Sequence, residues 1–305
     1  MIELGEIRAA RERISDAVVR TPLVAFDERI FLKLESLQPI GSFKLRGALN
    51  AMRAQPAQDV VTASAGNMAQ GVGWAAGELG VHATVVAPEH APRAKLDRVE
   101  ALGAEVVLVP HEVWWQTMVD RRYEGIRGLF IHPVEDELVM AGNGTIGLEL
   151  AEDGPEFDTV VIPWGGGGLT TGIASALHAL RPSVRIVTAE PETAAPLAAS
   201  LAAGRPVEIE YAPSFVDGAG GRALLPTMWA RAQELVDEAV AVPLAEVEEA
   251  VRLLATRAGV VAEGAGALAL AAALRREDRC VCIVSGRNVD LDVYARIVGI
   301  SAPGI

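Results

Sequence analysis

"TVVIPWGGGGLTTGIASALHAL" (residues 159–180) runs from a short β-branched stretch through four glycines into an apolar pattern of helical period. Residues 159–164 predict a strand buried on both faces, and residues 169–180 predict a helix. Four glycines between a strand's carboxyl end and a helix start leave bare amides facing the helix's positive end, a cradle for a phosphate. A flexible loop is the plain alternative for a glycine run taken alone. The run departs from G-x-G-x-x-G, because Thr170 or Thr171 stands where the third glycine belongs, and it lacks the Gly-Lys-Ser/Thr of a nucleoside-triphosphate loop. A phosphorylated ligand of another kind is indicated.

Comparable strands are expected at 59–64, 83–88, 105–110, 128–133, 185–190 and 280–286. Helices are expected at 67–79, 91–103, 136–152, 193–203, 244–258 and 265–275, with "LAEVEEAVRLLATRA" (244–258) ending at Gly259. Near-continuous apolar strands alternating with helices make this an α/β chain, with enough strands for two mostly parallel sheets covered by helices. Neither a low-complexity linker nor a 20–50-residue repeat divides it.

The 305 residues allow one large or two ordinary domains. The formal net charge is −13 and no Lys/Arg run forms a basic stripe, which argues against nucleic acid and anionic membrane as partners. Apolar runs are too short to span a membrane, and the charged, amphipathic "MIELGEIRAARERISDAVV" does not read as a secretion signal, so a cytoplasmic location is expected. Cys280 and Cys282, two apart in one expected strand, read as buried structural thiols.

Lysine is scarce: Lys33, Lys44 and Lys95 are the only ones among 27 basic side chains. Lys44 lies in "SFKLRG" (42–47) between apolar Phe43 and Leu45. A surface ammonium is the plain reading. Desolvation, however, lowers a lysine's pKa and favours the neutral amine that attacks an aldehyde, a role arginine cannot take. "TASAGNMAQGVGWAA" (62–76) is a second strand–turn–helix suited to an anion, although Ser64 or Asn67 alone would read as a helix cap. "IVSGRNVD" (283–290) is a third strand end, and by itself a plain turn.

Together these stretches are familiar. "LKLESLQPIGSFKLRGALNAM", "TASAGNMAQGV", "AGNGTIGLEL", "VVIPWGGGGLTTGI", "AEPETA", "VAEGAGA" and "VSGRNVD" follow one another as in a known family. The chain resembles the fold-type II pyridoxal-phosphate enzymes, and within them the threonine/serine dehydratase and serine racemase family. The resemblance implies the tryptophan-synthase-β-like fold: two open twisted, mostly parallel sheets flanked by helices. A small mobile domain at 59–135 would be inserted into a large cofactor-binding domain of 1–58 and 136–305. It implies that Lys44 joins pyridoxal 5'-phosphate as a Schiff base and later moves the Cα proton, with Phe43 against the ring. Asn67 would bond the ring's 3′ oxygen, and Ser64, Ala65, Gly66 and Asn67 would hold the substrate carboxylate. Gly165, Gly166, Gly167, Gly168 and Leu169 would bind the phosphate, and Ser285 would face the pyridine nitrogen. A neutral hydroxyl there keeps the ring a weaker electron sink than a carboxylate would, favouring loss of a β-leaving group. The implied reaction is dehydration and deamination of an L-hydroxyamino acid, threonine or serine by default. Alternatives are 3-hydroxyaspartate or phenylserine dehydration, racemisation of serine, or β-replacement. A non-catalytic sensor of a phosphorylated ligand would share the glycine loop without needing Lys44. The family usually forms homodimers, and one is expected here.

Departures from the family pattern carry expectations of their own. Ala65 replaces the second serine of racemases, so elimination is expected without efficient racemisation. Met68 replaces a histidine, so the carboxylate loop is expected to be held differently. Arg287 follows Ser285-Gly286 where a small residue is usual; a salt bridge to a structural carboxylate is the plain expectation, and contact with an acidic substrate the alternative. In "EPETAAP", Pro196 takes a position that is a carboxylate in metal-binding relatives, leaving Glu190 and the Ala194 carbonyl, so no metal is expected. No extra regulatory domain is expected. One of Trp114 and Trp115 is expected to be buried in the small domain, with a pocket-shaping role as the alternative.

Overall fold

The computed structural model describes residues 1–299. Its strands are β1 (Leu23–Ala25), β2 (Ile30–Lys33), β3 (Asp59–Ala63), β4 (His82–Pro88), β5 (Glu105–Val109), β6 (Leu129–Phe130), β7 (Thr159–Pro163), β8 (Arg185–Pro191), β9 (Glu238–Val242) and β10 (Cys280–Ile283). Its helices are α1 (Leu4–Ile14), α2 (Lys44–Ala54), α3 (Asn67–Leu79), α4 (Arg93–Ala101), α5 (His111–Asp120), α6 (Glu137–Asp153), α7 (Gly168–Leu180), α8 (Pro196–Ala203), α9 (Pro226–Leu235), α10 (Leu244–Ala258), α11 (Gly264–Ala273) and α12 (Leu291–Val298). None is long and apolar enough to cross a membrane.

The larger sheet has the order β1-β2-β10-β7-β8-β9, parallel except for the edge strand β1. The smaller, all-parallel sheet has the order β5-β4-β3-β6. Both sheets expected from the alternation are present. In the larger one Cys282 pairs with Leu32 on one side and Val161 on the other, so β10 sits centrally although it comes last. Cys280 and Cys282 are buried free thiols in the apolar cluster beneath α10 and α11.

Another cluster joins the smaller sheet to the rest of the chain. Ala48, Leu49 and Met52 of α2 pack with Val72 and Ala75 of α3, Val60 of β3 and Ile14. Met68 is a member of this cluster, so its side chain faces the core at the start of α3. Trp114 of α5 packs partly buried on Val61 and Val86 of the smaller sheet, whereas Trp115 is exposed.

Under the start of α2 lies a buried ionic group. Arg46 donates to Glu35 (Nε–Oε2 2.8 Å) and Glu149 (Nη1–Oε1 2.7 Å), and Lys33 pairs with Glu149 and donates to the Thr21 carbonyl at 2.7 Å. Two cations against two carboxylates leave the group neutral, the condition for burying charge at tolerable cost. Lys33, the second scarce lysine, is therefore structural.

Candidate active site

Parallel strands gather their carboxyl-end loops on one side, where open α/β sheets bind ligands. Here β3 leads into Ser64–Gly66, β7 into the four glycines, and β10 into Ser285. Residues Ser42 and Phe43 join this edge directly: Ser42 forms a β-bridge with Gly286, and the Phe43 amide donates to the Ser285 carbonyl at 3.1 Å.

Lys44 is the first residue of α2, and its Nζ donates to the Pro133 carbonyl at 3.3 Å and lies 5.2 Å from the centre of the Phe43 ring. Burial pushes the amine down to about 8, working against the carboxylate of Glu263, which favours the charged form. Phe43 itself is buried in a cluster with Leu169 and Ile283.

The residue after Pro133 reaches the glycine loop. A β-carbon on Gly166 would lie 2.6 Å from Val134 Cγ1, and one on Gly168 would lie 3.0 Å from the Val134 carbonyl. Gly167 has φ +93, and a β-carbon there would meet Trp164 Cζ2 at 2.7 Å. Only glycine keeps the loop this close to its neighbours. Thr170, in the first turn of α7, has a buried hydroxyl with no partner among the described residues.

Across from it, Asn67 opens α3 and is held at both ends of its amide. Its Nδ2 donates to Glu263 Oε1 at 2.8 Å, and its Oδ1 accepts from Asn288 Nδ2 at 2.7 Å. The Gly66 amide donates to Ser64 Oγ at 3.3 Å, closing the turn in which Ala65 sits partly buried. Lys44, Phe43, Asn67, the glycines and Ser285 thus share one edge, joined through Pro133, Glu263 and Asn288.

Glu263 was assigned no role from sequence. It is 5% exposed, and burial pushes its carboxyl up to about 7. Its signal in "VAEGAGA" is a carboxylate amid small apolar residues at a helix start, which also fits an ordinary cap. Arg287 differs from its expected salt bridge: it is exposed with no ion pair among the described residues, and lines a hollow of about 300 Å³ with Trp74 and Arg98. Both Glu190 oxygens accept amides at the start of α8, from Leu197 (3.1 Å) and Ala198 (2.9 Å).

Residues 14–286 match the family described as "Pyridoxal-phosphate dependent enzyme". The chain belongs to this pyridoxal-phosphate-dependent family. The enzyme is 37% identical over 316 residues to the L-threonine ammonia-lyase of Thermotoga maritima, covering 98% of this chain and 78% of that one. It is 36% identical over 326 residues to a catabolic L-threonine dehydratase of Staphylococcus aureus, covering 100% and 93%. Its fold matches maize serine racemase with a TM-score of 0.86 at 32% identity, covering 96% of each chain. The residues present fit the family's cofactor. The glycine cradle opens on a helix N-terminus, the Thr170 hydroxyl has no partner among the described residues, and the Lys44 amine is held partly neutral.

Proposed function

We propose that this pyridoxal-phosphate enzyme dehydrates an L-hydroxyamino acid, threonine or serine, to a 2-oxo acid and ammonia. The observation that carries the reading is Lys44: a desolvated amine at a helix start, beside the glycine cradle and the Ser64–Asn67 turn. The names of the relatives support the same reaction class.

Lys44 would hold the cofactor's aldehyde carbon, Gly165–Leu169 its phosphate, Asn67 its 3′ oxygen and Ser285 its ring nitrogen, with Phe43 beside the ring. Bound pyridoxal phosphate supplies a conjugated system that accepts electrons released at the substrate's Cα. The Ser64–Asn67 turn orients the substrate carboxylate through backbone amides at the start of α3. The Lys44 amine would take the Cα proton; a pKa of about 8 leaves a workable share of the base form near neutral pH. Ser285 contributes a hydroxyl where a carboxylate would strengthen the electron sink, and this favours departure of the β-hydroxyl over longer-lived chemistry at Cα.

The same proposal includes a small domain, 59–135, that closes on substrate, and a cytoplasmic homodimer. All four strands of the smaller sheet fall inside that segment, which supports the division.

Release of 2-oxo acid is to be measured across threonine, serine, 3-hydroxyaspartate and phenylserine, and the cofactor's attachment mapped after borohydride reduction. Threonine or serine should lead, with the reduced cofactor on Lys44. Lys44→Ala should lose both turnover and the visible band of the lysine-bound cofactor. Phosphorylated-ligand binding without that band in the unaltered protein would leave the sensor reading instead.

A further inference from the structure

The four residues Asn67, Glu263, Asn288 and Lys44 come from three helix starts and the loop between β10 and α12. Asn288 Nδ2 bridges the Asn67 Oδ1 at 2.7 Å and the Ile40 carbonyl at 2.9 Å. Glu263 Oε1 takes one of the two Nδ2 hydrogens of Asn67. With one hydrogen engaged, the other Nδ2 hydrogen is the side-chain donor of Asn67 left for a ligand. Rotating the amide would place an oxygen against the Glu263 carboxylate, so the carboxylate fixes which end of Asn67 donates.

Glycine leaves room for the Glu263 carboxylate. The Glu263 amide donates to the Gly286 carbonyl at 3.1 Å, and a β-carbon on Gly286 would lie 2.5 Å from Glu263 Oε1. A β-carbon on Gly218 would lie 3.5 Å from the same oxygen. The charged groups facing it among the described residues are Lys44 from α2, Lys95 from α4 and Asp217 from the loop before α9.

We propose that Glu263 is a positioning residue of the active site, fixing the donor end of Asn67 and sustaining the basicity of Lys44, an inference that rests on the reading of Lys44 above. Burial alone strips protons from the Lys44 amine and makes it a poor base. The Glu263 charge opposes burial and keeps the amine able to take a proton near neutral pH. Burial also pushes Glu263 up to about 7, so this support is strongest above neutrality, where the carboxylate is ionised.

The test compares the unaltered holoenzyme with Glu263→Gln, which keeps an acceptor for Asn67 but removes the charge, and with Glu263→Ala, which removes both. Thermal melting confirms that each is folded. In Glu263→Gln the acidic limb of the kcat–pH profile for threonine should move to lower pH by about one unit, and the plateau should fall about tenfold, as for a weaker base. Glu263→Ala should show the same shift and also bind pyridoxal phosphate at least several-fold more weakly, read from cofactor release by absorbance. Variants that lose rate with an unshifted limb, and with equal cofactor affinity, would overturn the inference while leaving Lys44 in place. Borohydride trapping on a residue other than Lys44 in the unaltered enzyme would overturn the Lys44 reading and this inference with it.

Discussion

Ala65 stands in the turn between β3 and α3 with a methyl group where racemases of the family have a hydroxyl. A methyl can neither give nor take a proton, so on the proposed reading of this turn the face of the substrate opposite Lys44 would lack that acid. A positioned general acid contributes about 10²–10⁴-fold to a proton transfer. Chiral chromatography of L-serine reactions should therefore find D-serine forming at least about 100-fold more slowly than pyruvate. Ala65→Ser should raise D-serine formation while changing pyruvate release only a few-fold. Comparable rates of the two products in the unaltered enzyme would refute the argument. Lys44, Asn67 and the glycines could be singled out only together, since each alone reads as a surface ammonium, a helix cap or a flexible loop, and their shared order along the chain set them apart. Glu263 was not, because its meaning comes from Asn67, 196 positions away in the chain. Met68 replaces a histidine at the end of the turn, and only the helix α3 shows that its side chain enters the core.

Helices 67–79 and 244–258 emerge with the limits their patterns predicted, each closed by a glycine in the left-handed region, Gly80 and Gly259. The helix expected at 193–203 starts later, at Pro196, because proline suits the first turn and cannot continue one. Strands β1, β2 and β9 went unread, since three to five residues amid charges carry little periodicity, and neighbours in the sheet decide them. Helix α2 is almost wholly buried, and its polar stripe of Arg46, Asn50 and Arg53 is taken up by Glu35 and Glu149, the Leu138 carbonyl and Asp16. What lets it fit is glycine at the crossings: a β-carbon on Gly142 of α6 would lie 2.8 Å from Gly47 Cα, and one on Gly172 of α7 would lie 2.6 Å from the Gly144 amide. These neighbours are backbone atoms that cannot rotate away. Gly172→Ala should lower stability by about 1–3 kcal/mol, seen as a lower urea midpoint at unchanged slope. Since α7 begins at the glycine cradle, the same variant should hold pyridoxal phosphate less tightly. An unaltered midpoint would mean that the helices part without strain.

The two sheets meet through two kinds of contact with opposite consequences for motion. The shared apolar cluster of α2 and α3 is continuous, and a β-carbon on Gly71 would lie 3.1 Å from the Lys44 carbonyl, so parting the two helices would expose apolar surface. At the opening, polar contacts close the gap: Asn67 to Glu263 and Asn288, and Lys95 of α4 to Asp217. The Lys95–Asp217 pair is partly exposed, with side chains 25% and 51% accessible, so it is worth at most about 1 kcal/mol and is screened by salt. If it biases closure over the substrate, Asp217→Asn should raise KM by up to about fivefold, with little change in melting temperature. Asp217 also faces Glu263 and raises its pKa, so kcat is compared well above neutrality, where Glu263 is ionised in both proteins and kcat should hold. Added salt should raise the KM of the unaltered enzyme toward that of the variant, while the variant's KM stays flat. Equal KM values at low salt, or equal salt sensitivity in the two proteins, would show that this ion pair does not govern closure.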